Sequence, residues 1–216
     1  MKPVVISATT GTESIALRDG GWIRYEPDFL PAPEADHLFA ALRRDLPWAQ
    51  FRNHLWTFPR LTAFTADVGI VYRYSGVSHV GSGWSSELLA IKGRVEEASG
   101  TFFNGVLLNL YRDGNDSMGR HADNEPELAE NPLVASVSLG ATRTFVLRHR
   151  AGKESLHLDL AHGSLLIMGG TLQHHWVHEL PKTRHPAGER INLTFRRFVP
   201  LKASSGPARA DAAVSS

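Results

Sequence analysis

The sequence predicts a mainly β fold with flanking helices (α+β): a sandwich or jelly roll with two N-terminal helices packed on one sheet. Short β-type runs follow one another closely after Gly100, and glycine, asparagine and aspartate separate them. Two earlier segments have a helical rather than an alternating period. A chain of 216 residues is also long enough to bury a core without cross-links.

The two helices are predicted over residues 33–46 and 84–98. In the first, leucine and phenylalanine recur at helical spacing after a proline and a glutamate that suit a first turn. The second has Ser85 or Ser86 as its N-cap and Gly100 as its end.

The strands are expected in a core domain at residues 105–200. They are the apolar or alternating runs 105–111, 133–139, 143–149, 155–160, 164–168, 174–179 and 190–198. Around the core, the sequence divides into a loosely ordered lead-in at 1–20, an N-terminal extension with the helices at 21–104, and a disordered tail at 201–216.

Composition limits the chemistry that the chain can perform. It has no cysteine, which excludes disulfides, thiolate metal sites, iron–sulfur clusters and a cysteine nucleophile. A metal must therefore be held by His, Asp or Glu, and eleven histidines are available. The net charge of +1 does not indicate a polyanionic partner through bulk charge, although a local basic patch is compatible with it. The first residues resemble neither a signal peptide nor a membrane span, so we expect a cytoplasmic location and no membrane partner.

His121 and Asp123 are the first candidate metal ligands. Residues two apart in an extended chain point to the same side, so both side chains can face one ion. An imidazole nitrogen and a carboxylate oxygen suit iron, cobalt, nickel or zinc. Because a His-x-Asp tripeptide often arises by chance, the alternative is a surface loop with a hydrogen-bonded His–Asp pair.

A third ligand could come from the cluster of His174, His175 and His178. If 174–179 is a strand, His174 and His178 share one face and His175 points the other way. Two histidines and one carboxylate form the facial triad of non-haem iron(II) oxygenases, which leaves positions open for a chelating cosubstrate and O2. The alternative is a strand whose histidines are half-buried polar residues.

The segment RINLTFR predicts a strand with one polar face. Its polar residues Arg190, Asn192, Thr194 and Arg196 alternate with apolar ones, and an arginine fork binds a carboxylate through two charge-assisted hydrogen bonds. At about 3.3 Å per residue, the two arginines are about 20 Å apart in a straight strand, so one of them has a supporting role. The alternative is the solvated face of an edge strand.

Taken together, these segments resemble the AlkB family of iron(II)- and 2-oxoglutarate-dependent dioxygenases. The matching stretches, in the family's order, are NLYRDGNDSMGRHADNEPEL, ASVSLGATRTFVLRH, LAHGSLLIM, HHWVHELP and RINLTFR. The resemblance covers about residues 59–198. The stretches PRLTAFTADVGIVYRYSG and HHWVHELP are more similar to the branch that includes the animal double-strand DNA repair homologues.

The resemblance implies a double-stranded β-helix (jelly-roll) core and a set of site residues. Iron(II) would be held by His121, Asp123 and His178, with His174 as the alternative to His178. The residues around 2-oxoglutarate would be Asn109, Tyr111, Arg190, Asn192 and Arg196. With O2 as cosubstrate, the family's reaction hydroxylates an N-methyl carbon, and formaldehyde, succinate and CO2 are released.

The resemblance also implies a nucleic-acid partner that carries 1-methyladenine- or 3-methylcytosine-type lesions, namely DNA, with RNA as the alternative. Such a base must leave the stack before its alkylated edge can be reached. The residues expected to bind it are Tyr72, Tyr74, Glu125 and Arg60, with Glu125 contacting the exocyclic amine of adenine or cytosine. The alternative for Tyr72 and Tyr74 is that they are ordinary core tyrosines. Asn124 stands where some relatives have a second acid. We expect the enzyme to be a monomer.

Residues 51–60 correspond to the family's mobile nucleotide-recognition lid. Phe51, Leu55 and Trp56 are candidate intercalating side chains, whereas Arg52 and Arg60 could contact phosphate. Two other functions stay open. One is a 2-oxoglutarate-dependent hydroxylase of RNA, protein or a small molecule, and the other is a jelly-roll binding module that would form no succinate.

Overall fold

The computed structural model describes residues 4–5, 14–52, 57–74, 77–185 and 187–199. Both predicted helices are present, and strands occur in all seven predicted strand segments, together with further strands before residue 105 and at Met118–His121 that were not predicted. The helices are α1 (Ala32–Asp45), α2 (Ser86–Ser99) and the single turn α3 (Leu172–His175). The strands are β1 (Val4–Val5), β2 (Ile15–Ala16), β3 (Gly21–Glu26), β4 (Leu61–Ala66), β5 (Val71–Tyr74), β6 (Val77–Val80), β7 (Gly105–Tyr111), β8 (Met118–His121), β9 (Val134–Gly140), β10 (Arg143–His149), β11 (Ser155–Leu160), β12 (Ser164–Gly170), β13 (Trp176–Leu180) and β14 (Arg190–Arg196).

The core strands form two facing sheets whose pairs are antiparallel except at β1. The larger sheet has the order β2-β3-β12-β9-β14-β7-β4, and the smaller has the order β1-β11-β10-β13-β8. From β7 to β14 the chain passes back and forth between these sheets, which is the topology of a double-stranded β-helix. The predicted fold class is therefore confirmed.

N-terminal strands extend the larger sheet. β3 pairs with β12, and β4 pairs with β7, so the segments 21–104 and 105–199 share one sheet. Within the predicted lead-in, Ile15–Ala16 adds a short strand beside β3. Most of that lead-in and the predicted tail at 201–216 lie outside the described residues.

Both predicted helices pack on the outer face of the larger sheet. Leu42 of α1 and Ile91 of α2 belong to one buried cluster with Leu193 of β14. Ser85 caps α2 by accepting a hydrogen bond from a backbone N–H, and Gly100 ends it in the left-handed conformation, as predicted. No helix in the described part of the chain is long and apolar enough to cross a membrane.

β14 separates the helical core from the space between the sheets. Its odd-numbered residues, such as Leu193 and Phe195, pack towards the helices. Its even-numbered residues, Arg190, Asn192 and Arg196 among them, line a cavity between the two sheets. The predicted alternation along RINLTFR is therefore confirmed, but its polar face is buried rather than solvated.

The prediction of a strand at 174–179 is wrong at its first two residues. His174 and His175 close the helical turn α3, and the strand begins at Trp176. His174 and His178 therefore do not share the face of one strand. A four-residue helix is too short to show a helical period in the sequence.

We expect Gly140→Ala to destabilise the fold. Gly140 ends β9 with φ of 84°, and a Cβ there would lie 2.4 Å from the carbonyl oxygen of Glu189. Both the backbone strain and the clash predict a loss of more than about 1 kcal/mol in the free energy of unfolding, measured by urea titration. Gly93→Ala is the matched control. Gly93 lies within α2, where an added Cβ would meet no neighbouring atom within 4 Å. Gly93→Ala should therefore raise the free energy of unfolding by about 0.5–1 kcal/mol. An unchanged urea midpoint for Gly140→Ala would contradict this account.

Candidate active site

Two neighbouring strands of the smaller sheet bring His121 and His178 together. β13 pairs with β8 so that His178 lies opposite His121, and their Nε2 atoms are 3.1 Å apart. Asp123 follows β8 by two residues, and its carboxylate oxygens lie 4.0 Å from Nε2 of His121 and 3.9 Å from Nε2 of His178. In the described part of the chain, this is the one group of three such side chains whose ligand atoms lie within 4.8 Å of each other.

Both imidazoles can offer a lone pair to a metal. Nδ1 of His121 lies 2.8 Å from the carbonyl oxygen of Gly119. With Nδ1–H donating to that oxygen, Nε2 is left without a proton, which is the usual arrangement of a metal-bound histidine. Burial lowers the pKa of His178 to about 3, so its ring is neutral near pH 7. Two ligands at about 2.1 Å from one ion and at a right angle are about 3 Å apart, which fits the two Nε2 atoms.

Arg196 keeps the carboxylate of Asp123 ionised. Burial alone would raise the pKa of Asp123, but the charge and the hydrogen bond of Arg196 lower it below its ordinary value. Nη2 of Arg196 donates a hydrogen bond to Oδ1 of Asp123. The predicted cosubstrate residue Arg196 thus lies beside the metal-ligand candidates, six residues along β14 from Arg190.

Arg190 is a buried cation at the other end of the polar face. It is 2 % exposed, and no carboxylate of the described residues pairs with it. Nη2 donates to the hydroxyl of Ser138 at 2.9 Å, Nε has no partner in the same part of the chain, and the guanidinium lies 5.3 Å from the ring centre of Tyr111. Burial lowers the pKa of Arg190 to about 10. Because an unpaired buried charge is costly, this position fits an anionic ligand such as a carboxylate.

The other predicted cosubstrate residues surround the same cavity. β14 pairs with β7 so that Arg190 lies opposite Tyr111 and Asn192 opposite Asn109. Nδ2 of Asn192 donates to the hydroxyl of Ser136. The cavity is lined by Asn109, Tyr111, Met118, His121, Asp123, Ser136, Phe145, Leu160, Met168, His178, Leu180, Arg190, Asn192, Thr194 and Arg196.

The structure brings Tyr72 and Glu125 together next to this cavity. The hydroxyl of Tyr72 donates to Oε1 of Glu125 at 2.7 Å, and Nη1 of Arg196 reaches the same hydroxyl at 3.4 Å. Burial raises the pKa of Tyr72, so the hydroxyl keeps its proton. The Tyr72 ring is fully buried and packs 4.7 Å from the ring of Phe198, which leaves the hydroxyl as the group directed at Glu125.

Arg60 lies inside the protein rather than on a phosphate-facing surface. It is 3 % exposed, and its Nε donates to Oδ1 of Asn109 at 2.7 Å. Its guanidinium also lies 4.8 Å from the ring centre of Phe58. This hydrogen bond orients Asn109, a residue of the cavity, and a contact of Arg60 with substrate stays a prediction.

The remaining predicted residues lie around the lid or outside the site. Phe51 packs on Phe58 with ring centres 4.8 Å apart, and Arg52 is exposed. Leu55 and Trp56 lie outside the described residues, as does the side chain of Tyr74. Asn124 is exposed in the loop after Asp123.

Sequence reasoning missed Ser136 and Ser138, whose hydroxyls bond Asn192 and Arg190. The signal was available, because the two serines alternate with apolar residues along β9.

Comparison with known proteins decides the family. The model of the 2OG-Fe(II) oxygenase superfamily matches residues 23–196. The chain is 38% identical to the mouse DNA oxidative demethylase ALKBH2 over 218 residues, which covers 90% of this chain and 91% of that protein. The chain belongs to the AlkB family of 2OG-Fe(II) oxygenases.

Other relatives of this AlkB-family chain agree. It is 40% identical to the cow alpha-ketoglutarate-dependent dioxygenase alkB homolog 3 over 81% of this chain, and it spans 65% of that protein's length. Among solved structures, OsALKBH1 superposes with a TM-score of 0.63 at 16% identity, over 86% of this chain and all of that one, which supports the fold. Iron(II) and 2-oxoglutarate are the cofactors of the superfamily, and both the histidine–carboxylate group and the buried arginine fit them.

We expect Arg190→Lys to weaken the binding of 2-oxoglutarate by about 10- to 100-fold. Lysine keeps the positive charge but loses the planar fork, and hydrogen bonds to charged groups contribute about 1.5–3 kcal/mol. Calorimetric titration of 2-oxoglutarate without oxygen, with Mn(II) in place of iron, measures this dissociation constant. Arg148→Lys is the matched control, because Arg148 bonds Glu179 outside the cavity. If both variants bound 2-oxoglutarate as the wild type does, Arg190 would not be its anchor.

Proposed function

We propose that this chain is a DNA oxidative demethylase that removes methyl groups from bases such as 1-methyladenine and 3-methylcytosine. Mouse, human and Arabidopsis relatives at 32–38% identity are named DNA oxidative demethylase ALKBH2. One observation carries the proposal: the same cavity contains the candidate metal ligands His121, Asp123 and His178 and the cation of Arg190, which no carboxylate of the described residues pairs. That pairing suits a metal at one end and a dicarboxylate at the other.

The chain's own residues have separate tasks in this reaction. Bound iron(II) would supply the centre at which one oxygen atom of O2 enters succinate as 2-oxoglutarate loses CO2, while the other oxygen hydroxylates the N-methyl carbon, which leaves as formaldehyde. His121, Asp123 and His178 would hold the ion on one side and leave the opposite side open. Arg190, whose guanidinium lies over the ring of Tyr111, would bind the distal carboxylate of 2-oxoglutarate. The sheets on both sides exclude bulk water from the cavity.

Glu125 would recognise the base. One of its oxygens accepts from Tyr72, while Oε2 is buried and has no partner among the described residues. Adenine and cytosine each present an exocyclic amine that can donate to such an oxygen. A base with an alkylated Watson–Crick edge must be flipped out of the duplex to reach it. Because Glu125 follows Asp123 by two residues, the acceptor and the metal site share one short loop.

The direct test is demethylation of a methylated oligonucleotide. With iron(II), ascorbate and 2-oxoglutarate, the wild type should remove one methyl group from each 1-methyladenine or 3-methylcytosine, scored by mass spectrometry in single and double strands of DNA and RNA. Asp123→Ala should remove none, because a ligand is lost. Succinate without loss of methyl from any strand would instead favour a hydroxylase of a protein or small molecule. Absence of both products would refute the proposed reaction.

We expect Glu125→Gln to lower kcat/KM for 1-methyladenine by about 10- to 100-fold. Glutamine has the same shape but weakens the acceptor, and a hydrogen bond to a charged group contributes about 1.5–3 kcal/mol. Steady-state demethylation kinetics measure the effect, and the dissociation constant of 2-oxoglutarate should stay as in the wild type. Glu130→Gln, an exposed acid in the same loop, is the control. Equal kcat/KM for Glu125→Gln and the wild type would remove Glu125 from base recognition.

A further inference from the structure

The helical turn α3 holds both ends of the loop that carries Asp123 and Glu125. At the start of this loop, Oε1 of Gln173 accepts a hydrogen bond from the backbone N–H of Asp123 at 2.9 Å. At its end, Nε2 of His174 lies 2.6 Å from the carbonyl oxygen of Glu130 and donates to it. Two consecutive residues of one turn therefore fasten residues 123–130.

Gln173 is a buried polar side chain whose amide oxygen has a hydrogen-bond partner and whose amide nitrogen has none among the described residues. It is 1 % exposed. Leaving a buried amide donor unpaired costs free energy, whereas methionine would fill the same space without that cost. The contact of Oε1 with Asp123 is thus what the glutamine provides.

The backbone at Asp123 needs such a partner because the ladder between strands ends before it. β8 stops at His121, two residues before Asp123. A buried backbone N–H without a partner is rare in folded proteins. Gln173 supplies the acceptor that a neighbouring strand would otherwise offer.

We infer that Gln173 is a positioning residue for the metal ligand Asp123. α3 leads directly into β13, which carries His178. Gln173 therefore fixes the carboxylate of Asp123 relative to His178 on the neighbouring strand. Partners that orient metal ligands typically contribute 10- to 100-fold to metal affinity. This inference rests on the metal role proposed for Asp123 and adds a residue to it.

Titration of the metal-free full chain with Mn(II) tests the inference. Gln173→Met should bind Mn(II) 10- to 100-fold more weakly than the wild type, and its urea midpoint should fall because the buried N–H of Asp123 loses its acceptor. Hydrogen exchange should quicken at the Asp123 amide and not in the core strands. His175→Ala is the matched control, since this exposed side chain lies on the same turn and has no hydrogen bond to the loop 123–130 among the described residues. It should bind Mn(II) as the wild type does.

Wild-type affinity for Mn(II) in Gln173→Met would overturn the inference and leave the metal site intact. A wild type that binds no Mn(II) would overturn both the inference and the metal site. If Gln173→Met does not fold, the exposed His174→Ala provides the second test. It should speed hydrogen exchange in residues 124–130 and weaken Mn(II) binding several-fold, and unchanged exchange there would equally overturn the role of α3.

Discussion

The buried ion pair between Asp123 and Arg196 is the interaction on which the site depends. It joins the loop after β8 of the smaller sheet to the end of β14 in the larger sheet, so it also ties the two sheets together beside the cavity. Removing one partner of a buried pair typically costs about 3–5 kcal/mol, because the other charge is left uncompensated. The pair also keeps the pKa of Asp123 low, and an ionised carboxylate is the form that binds a metal.

β14 combines stability and chemistry in one strand. Its apolar side chains join the core under α1 and α2, while its polar side chains face the cavity. This division places Arg190 where burial makes an unpaired cation costly and a carboxylate ligand favourable. Because the helices cover one face of β14, its opposite face presents Arg190 and Arg196 to the cavity.

Much of this arrangement could be predicted from the sequence, whereas contacts between residues far apart in the chain could not. The alternation along β14 and the His-x-Asp pair are local patterns, and the order of motifs matched a known family. The contacts of Arg60 with Asn109 and of Gln173 with Asp123 join residues 49 and 50 positions apart, which no local pattern encodes. The turn α3 was also missed, because four residues give no helical period, and His174 was therefore considered as a ligand.

The most direct test of the metal and cosubstrate site is a crystal structure with Mn(II) and 2-oxoglutarate, in which anomalous scattering locates the ion. We expect one ion bound by Nε2 of His121, Nε2 of His178 and the carboxylate of Asp123, with the distal carboxylate of 2-oxoglutarate on the guanidinium of Arg190. An ion held by other side chains, or 2-oxoglutarate bound away from Arg190, would contradict this expectation.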